Sequence, residues 1–490
     1  MNTKSDWMEH CETEPLAYSG AIQPHGALLY LDLEQRVSHV SAQIREFLPY
    51  SPEILLGELL PPVFFKSLAP ALKKLTTDTG SRSELFAVRV TDNVNLDIVV
   101  MRNNDGFVLE LLQHEETAIN ISHPLQQIRA PRNDREILAL HEKVAQLFHE
   151  MTDFDRVMIY AFREDGDGEV LAEARRPEVY GSYLGLRFPG SDIPLIARTL
   201  YLNNPWRLIP DSQAPAIQLL SNKKTVPDLT WSDLRSVSPM HQLYLKNMGV
   251  RASLSFPIIV AGELWGLIAC HHSSPHTLPL PVLRAASRHA SRYSLNLSTW
   301  KTESQMRFID NLTNRFEAMQ MTLLRHGDIL SAIPDIAPAI FEQFNACGLA
   351  IRSGDNWGSA GIVPEPNTLK LVDEWFEYEI HDLVCSNDCM SLTIRKLELL
   401  PVSGVLALKQ RTRKGEPLHL FIFRSEQLQE VTWGGNPQKP VEFHNDQIDI
   451  APRRSFEKWL ENRIGYSHAW SKEDRLAGLR LRLLLVQLYG

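Results

Sequence analysis

The sequence predicts an α+β chain of three mixed domains, each a central antiparallel sheet with helices, joined by a long helix. Three observations carry this reading. At 490 residues the chain is too long for one core, and a hydrophobic content of 44% supplies a core for each of three ordinary domains. Short apolar segments alternate with turn-rich stretches, as antiparallel sheets require. Residues 282–326 contain neither proline nor glycine and carry an apolar face at helical spacing.

From residue 21 to about 118, segments such as Ala27-Leu28-Leu29-Tyr30-Leu31 and Leu96-Asp97-Ile98-Val99-Val100, with the turn Asn103-Asn104-Asp105-Gly106, predict a small antiparallel sheet domain with helices. A polar stretch through Asn120 and His123 ends it. In residues 134–151, Ile137, Leu140, Val144, Leu147 and Phe148 fall at helical spacing and open a second domain, 128–300. Its strands include residues 157–162, then 254–260 and 264–270 flanking Ala261-Gly262-Glu263, a hairpin that ends at His271. Beyond it, Ala290, Tyr293, Leu297, Trp300, Phe308, Leu312, Phe316, Met319 and Leu323 trace one face of a helix roughly 60 Å long. That length joins two domains through a connecting segment, 301–330, and offers a homodimer surface; two shorter helices with a break near Ser304 are the alternative. A third mixed domain, 331–490, closes with a leucine-rich helix over residues 476–489, whose lack of stopping signals is expected of a helix continuing into an effector.

Composition excludes several classes. Fifty basic residues against 59 acidic ones, net −9, give no electrostatic drive toward nucleic acid or an anionic membrane. No apolar run reaches transmembrane length, and the polar opening 1–14 is no signal peptide, so the cytoplasm is the expected compartment. Five cysteines at scattered spacings, Cys11, Cys270, Cys347, Cys385 and Cys389, do not make a secreted disulfide framework. Cys385 and Cys389 lack a second ligand pair and are expected to be structural. Cys270, His271, His272 and His276 are expected to hold no metal, because adjacent histidines on a strand point to opposite faces.

The chemistry concentrates in two runs. Arg187-Phe188-Pro189-Gly190-Ser191-Asp192-Ile193-Pro194 is a turn stiffened by two prolines, which fixes a carbonyl and a carboxylate in place. Residues 235–244 gather Arg235, Ser238, His241 and Tyr244. An anion clamp, a titratable donor and an aromatic wall suit a flat, conjugated tetrapyrrole bearing two propionates.

These runs, with Ile22-Gln23-Pro24-His25-Gly26, Trp433-Gly434-Gly435-Asn436-Pro437 and Pro452-Arg453-Arg454-Ser455-Phe456, resemble the photosensory core of the bacteriophytochromes over essentially the whole chain. The resemblance implies PAS-like, GAF-like and PHY/GAF-like domains, with residues 1–20 as an extension carrying the attachment cysteine. It also implies a hairpin tongue at about 425–462 reaching from the third domain onto the second, and places Ile22 where the amino-terminal segment threads a GAF loop. The implied cofactor is biliverdin IXα, joined as a thioether to Cys11; Met240 stands where relatives using other bilins carry the attachment cysteine. By the same resemblance the Asp192 carbonyl and His241 serve the pyrrole nitrogens, beside Ile193 and Pro194. Arg207 and Arg235 hold the propionates, helped by Ser238, Ser253 and Ser255. His271 meets the ring D carbonyl, and Tyr160, Phe188 and Tyr201 cage that ring. Arg453 pairs with Asp192, and Trp433, Ser455, Phe456 and Trp459 couple the tongue to the pocket. Phe456, Trp459 and Leu460 can share one helical face, whereas residues 441–450 favour extended structure, a mixture that suits a two-state element. Gly190, where the family usually has alanine, is expected to free the turn. The implied function is a red/far-red photoreceptor, not itself an enzyme, fused in the full protein to a histidine kinase or diguanylate cyclase. A light-independent PAS/GAF sensor of a small molecule is the alternative.

Overall fold

A computed structural model of the chain describes residues 14–91, 94–116, 129–394, 402–437, 441–444, 447–450 and 456–490. Cys11, Arg453 and Ser455 lie outside the described residues. Residues 1–301 with 432–459 form one compact unit, and residues 302–431 with 460–490 form a second.

In the first unit the strand Gly26–Asp32 is apolar at nearly every position because both its faces are covered. Ala27, Leu29 and Leu31 pack with Phe64 and Leu68 of helix Pro62–Lys74. Leu28 and Tyr30 turn the other way and join Val99, Met101, Phe148 and Phe256 in a core shared with a second sheet. The first sheet runs Ala21–Ile22, Ile217–Ser221, Val37–Ser41, Gly26–Asp32, Gly106–Gln113, Val94–Asn103, Arg82–Thr91, and its pairs are antiparallel. The strand Ile217–Ser221 is a late arrival from the neighbouring sequence region. Ala21 and Ile22 pair with Gln218 and Ile217 on one edge, while Gln23 N donates to Leu234 O at 2.7 Å and Ser236 N donates to Ala21 O at 3.0 Å on the other. One loop therefore grips this segment on both edges, and Ile22 is fully buried inside it.

The second sheet follows the order Arg207–Ile209, Ala252–Val260, Glu263–His272, Arg156–Phe162, Gly168–Arg175, Arg187–Phe188, Gln429–Gly434, Lys458–Arg463. Its hairpin turns at Ala261 and Gly262, both at positive φ (52° and 83°), the backbone a tight two-residue connection needs. Helix Asp134–Thr152 covers one face through Val144 and Phe148, and its first turn is capped by the Asn133 side chain, which accepts from Glu136 N. Trp433 bridges in parallel to Arg187. Strands Val441–His444 and Gln447–Ile450 form an antiparallel hairpin, as their extended pattern implied. The helical face expected for Phe456, Trp459 and Leu460 is not formed: Lys458–Arg463 is a strand, and alternation sends Trp459 and Leu460 to opposite sides.

Helix Leu280–His326 is continuous over 47 residues, with no break at Ser304. Its early apolar positions Ala290, Tyr293 and Leu297 lie in the core of the first unit, and Leu312, Phe316, Met319 and Leu323 lie in that of the second. The second unit is built on a five-stranded antiparallel sheet in the order Asn356–Gly361, Gly348–Ser353, Pro417–Ser425, Val402–Arg411, Val384–Asn387. Leu420 and Ile422 face helices Ile329–Phe344 and Lys472–Tyr489, while Phe421 and Phe423 face helix Pro366–Tyr378. The last helix opens with a capping box between Ser471 and Asp474. Among the described residues no helix is long and apolar enough to cross a membrane.

Candidate functional site

The proline-flanked run folds as the sequence demands. After strand Arg187–Phe188, a single 3-10 turn, Gly190–Asp192, is closed by Asp192 N donating to Pro189 O at 2.9 Å, and Pro194 then starts helix Leu195–Asn203. Arg198 on that helix holds the turn: its Nε donates to Ile193 O at 2.7 Å, and its Nη2 donates to Gly190 O and Gly166 O at 3.0 and 2.7 Å. Gly190 corrects an expectation. Its value is close approach and not freedom, because a Cβ there would sit 2.6 Å from Gly166 O.

The second run forms helix Pro239–Asn247, which presents His241 and Tyr244 one turn apart. Their rings stack at 6.0 Å with 11° between planes, and the Tyr244 hydroxyl donates to Asp192 Oδ2 at 3.2 Å. Arg207 faces Ser255 across paired strands, and Ser253 is paired with Ile209. These elements enclose one cavity with about 230 Å³ of enclosed room, within about 1700 Å³ of empty space counted to its open mouth. Every expected cofactor-contacting residue among the described ones lines it: Tyr160, Phe188, Asp192, Ile193, Pro194, Tyr201, Arg207, Arg235, Ser238, His241, Tyr244, Ser253, Ser255 and His271. Met240, Glu14 and Leu16 line it too, and Ser238 Oγ donates to Glu14 Oε2 at 2.8 Å.

The electrostatics suit an anion. Arg235 is 7% exposed and, among the described residues, donates only to the carbonyls of Leu229 and Thr230, at 3.3 and 3.4 Å. Burial and the neighbouring Arg207 charge pull its guanidinium down to about 9. Arg207 is better tied, donating to the carbonyls of Asp233, Arg235 and Ser236 at 2.9, 2.6 and 3.1 Å, so it also braces the loop that carries Arg235. Burial, reinforced by Arg207, lowers His241 to about 4, and burial with the Arg156 and His241 charges lowers His271 to about 3. Both imidazoles are neutral at neutral pH. His271 faces the cavity, with Nδ1 lacking a partner among the described residues, whereas His272 turns to Asp155 at 3.3 Å and stacks on His276.

One end of the cavity is aromatic. Phe188 lies 6.1 Å from Tyr160 and 5.8 Å from Tyr183, and Arg156 sits 3.9 Å above the Tyr183 ring. Tyr183 was missed in the sequence, as was the bracing Arg198; Tyr183 stands in an aperiodic loop, and no spacing marks it. From the far segment, Phe456 meets Tyr244 edge-on at 5.1 Å, and Trp433 is 4% exposed. Trp459 is 37% exposed and does not line the cavity. The arrangement can take a flat apolar body with carboxylates at one end and a polar, neutral face in the middle.

Sequence patterns of known families match in three blocks: a PAS fold at residues 11–113, a GAF domain at 136–292 and the phytochrome region, PHY, at 314–490. A bacteriophytochrome of Pseudomonas aeruginosa is 34% identical over 98% of this chain and 66% of its own length. Cyanobacterial phytochrome B of a Nostoc species is 31% identical with the same coverage, so the chain spans about two thirds of these relatives. Among solved structures, the phytochrome photosensory core module of Stigmatella aurantiaca superposes with a TM-score of 0.82 at 30% identity, covering 98% of this chain and 97% of that one. A bacteriophytochrome from R. palustris gives 0.80 at 27% identity, covering 98% and 99%.

Proposed function

The chain belongs to the phytochrome family, and on that premise we propose that it is a red/far-red light sensor whose GAF-like domain holds biliverdin IXα through a thioether to Cys11. The observation that carries this reading is the cavity itself, where the residues singled out in two short runs converge around a buried Arg235 that donates only to two backbone carbonyls among the described residues. Arg235 and Arg207 would take the propionates, Ser253 and Ser255 would add hydroxyls, and His241 with the Asp192 carbonyl would serve the pyrrole nitrogens. His271, Tyr160, Phe188 and Tyr201 would surround ring D. Glu14 and Leu16 line the same cavity, and three extended residues reach roughly 10 Å, a span that would let a sulfur at position 11 reach it.

Bound biliverdin would supply the light-driven isomerisation of one double bond. What the protein adds is a fixed turn under Arg198, neutral imidazoles, and an arm that feels the aromatic end. Gly434 lies so close to Phe188 that a Cβ there would be 2.6 Å from its ring, and Phe456 packs on Tyr244. Arg453 would pair with Asp192, and Trp433, Ser455, Phe456 and Trp459 would carry pocket state into this tongue. The long helix would pair two copies in a homodimer, and the full protein would sit in the cytoplasm with a histidine kinase or diguanylate cyclase appended.

Adding biliverdin to the purified chain tests the reading. A far-red absorbing adduct that stays with the denatured protein, fluoresces with zinc and changes reversibly under red and far-red light is expected; Cys11→Ala should abolish the covalent link. A colourless or photochemically inert product would sink the proposal in favour of a light-independent small-molecule sensor.

A further inference from the structure

A second cavity in the first unit shares one wall residue, Trp206, with the first. It holds about 450 Å³ of enclosed room, within the range of small-molecule sites. Leu112, Leu208, Leu278 and Leu283 supply apolar walls. Its ionisable lining is acidic, with Glu110, Glu115, Asp211 and Asp233 beside His25 and His276, and no described lysine or arginine lines it.

Two of these acids are deeply buried and only half used. Glu110, 1% exposed, accepts on Oε1 from Ser232 Oγ at 2.5 Å and Leu234 N at 3.0 Å, while its Oε2 has no partner among the described residues. Asp233, 9% exposed, pairs through Oδ2 with Arg82 Nη2 at 2.7 Å, and its Oδ1 is likewise without a hydrogen-bond partner. His25 Nδ1 is a third such atom. Asp211 and His276 are satisfied elsewhere, by Arg251 at 2.7 Å and by the Thr152 carbonyl at 2.9 Å.

We propose that this cavity is a second ligand site, which takes a small organic ammonium with an apolar body. Unpartnered carboxylate oxygens in a lining without cations select a positive head that donates hydrogen bonds, and the leucine walls select the body. A bare metal ion fits less well, since no group of three His, Cys, Asp or Glu converges as ligands among the described residues. Arg82 pairs with Asp233 and, with Arg207 and Arg235 behind the wall, also acts on Glu110, whose Oε2 still has no hydrogen-bond partner among the described residues. Burial, then the Asp233 charge, pushes the Glu110 carboxyl up to about 7. The Arg82 guanidinium also lies 4.4 Å over the Trp206 ring, so occupancy would press on a wall common to both cavities.

Calorimetric titration of the pigment-free 490-residue chain with benzylamine tests the site without reference to light sensing. One-to-one saturable binding is expected, weakened at least tenfold in Glu110→Gln and in Leu278→Trp, whose indole would fill the space, with benzyl alcohol and benzoate inert. Glu110→Gln keeps the acceptor for Ser232 and Leu234, so it decides alone should the tryptophan variant misfold. No binding at millimolar benzylamine would mean a cavity filled by water only and would overturn the proposal. Binding that both variants leave unchanged would overturn it too.

Discussion

Burial makes Glu110 keep its proton to a higher pH than an exposed carboxyl would. Burial, then the nearby Asp233 charge, raises its pKa from an ordinary 4.5 to about 7. The folded chain therefore holds this proton over a pH range in which the unfolded chain has lost it. The associated stability is complete below about 4.5 and is lost as pH rises through 7, by up to about 3 kcal/mol. Glu110→Gln keeps the bonds accepted from Ser232 and Leu234 without the ionisable group. Thermal melts are expected to show the variant several degrees more stable than the parent at pH 8.5 and no more stable at pH 5; equal differences at both would refute the assignment. Part of the cavity was legible at this scale because its residues crowd into two runs whose proline, arginine and histidine content has no simple core explanation, whereas Tyr160, Tyr201, Arg207, Ser253, Ser255 and His271 lie outside those runs and were reached only through the family resemblance. Trp206, Tyr183 and Glu110 were not legible, since each matters through neighbours far away in sequence.

The arm formed by residues 432–459 illustrates what local pattern can and cannot reveal about elements. The extended pattern correctly marked the strands Val441–His444 and Gln447–Ile450, and the absence of proline and glycine over residues 282–326 correctly marked all but the first two residues of helix Leu280–His326. Phe456, Trp459 and Leu460 sit at helical spacing, yet Lys458–Arg463 is a strand because it lies beside Gln429–Gly434, a partner no local window contains. The same blindness hid Ile217–Ser221, which joins a sheet begun nearly two hundred residues earlier. Docking of the arm depends on Gly434. A methyl group there would meet the Phe188 Cε1 and Cζ atoms at 2.6 Å, and Phe188, at 4% exposure, has little room to retreat. Gly434→Ala is expected to weaken the docking by about 1–3 kcal/mol, read as faster hydrogen exchange in residues 432–459. Phe188→Leu in the same chain should restore part of the protection, and additive losses would argue that the two side chains do not meet.

At the scale of the molecule, the family patterns at 11–113 and 136–292 suggest two separable domains, but their buried side chains do not separate. Leu28, Tyr30, Val99 and Met101 of the first sheet share a cluster with Val144 and Phe148 of the helix and Phe256 of the second sheet, where the Phe148 and Phe256 rings meet at 5.2 Å. The segment gripped between Ile217 and Leu234 adds backbone bonds across the same junction, and Arg82 pairs with Asp233 within it. A boundary crossed by one continuous apolar cluster has no free energy minimum in which one half is folded and the other is not, because unfolding either exposes the apolar face of its neighbour. Leu28→Ala and Phe148→Ala, drawn from different family segments, are therefore expected to lower the same calorimetric transition, by about 2–5 and 3–5 kcal/mol. A first segment melting on its own, with Leu28→Ala shifting that step and leaving the second segment's step in place, would show that the junction is a contact between finished domains. The shared core has a functional consequence: a cavity walled by Trp206 and anchored through Arg82 on the first sheet cannot change its shape without that sheet being strained as well.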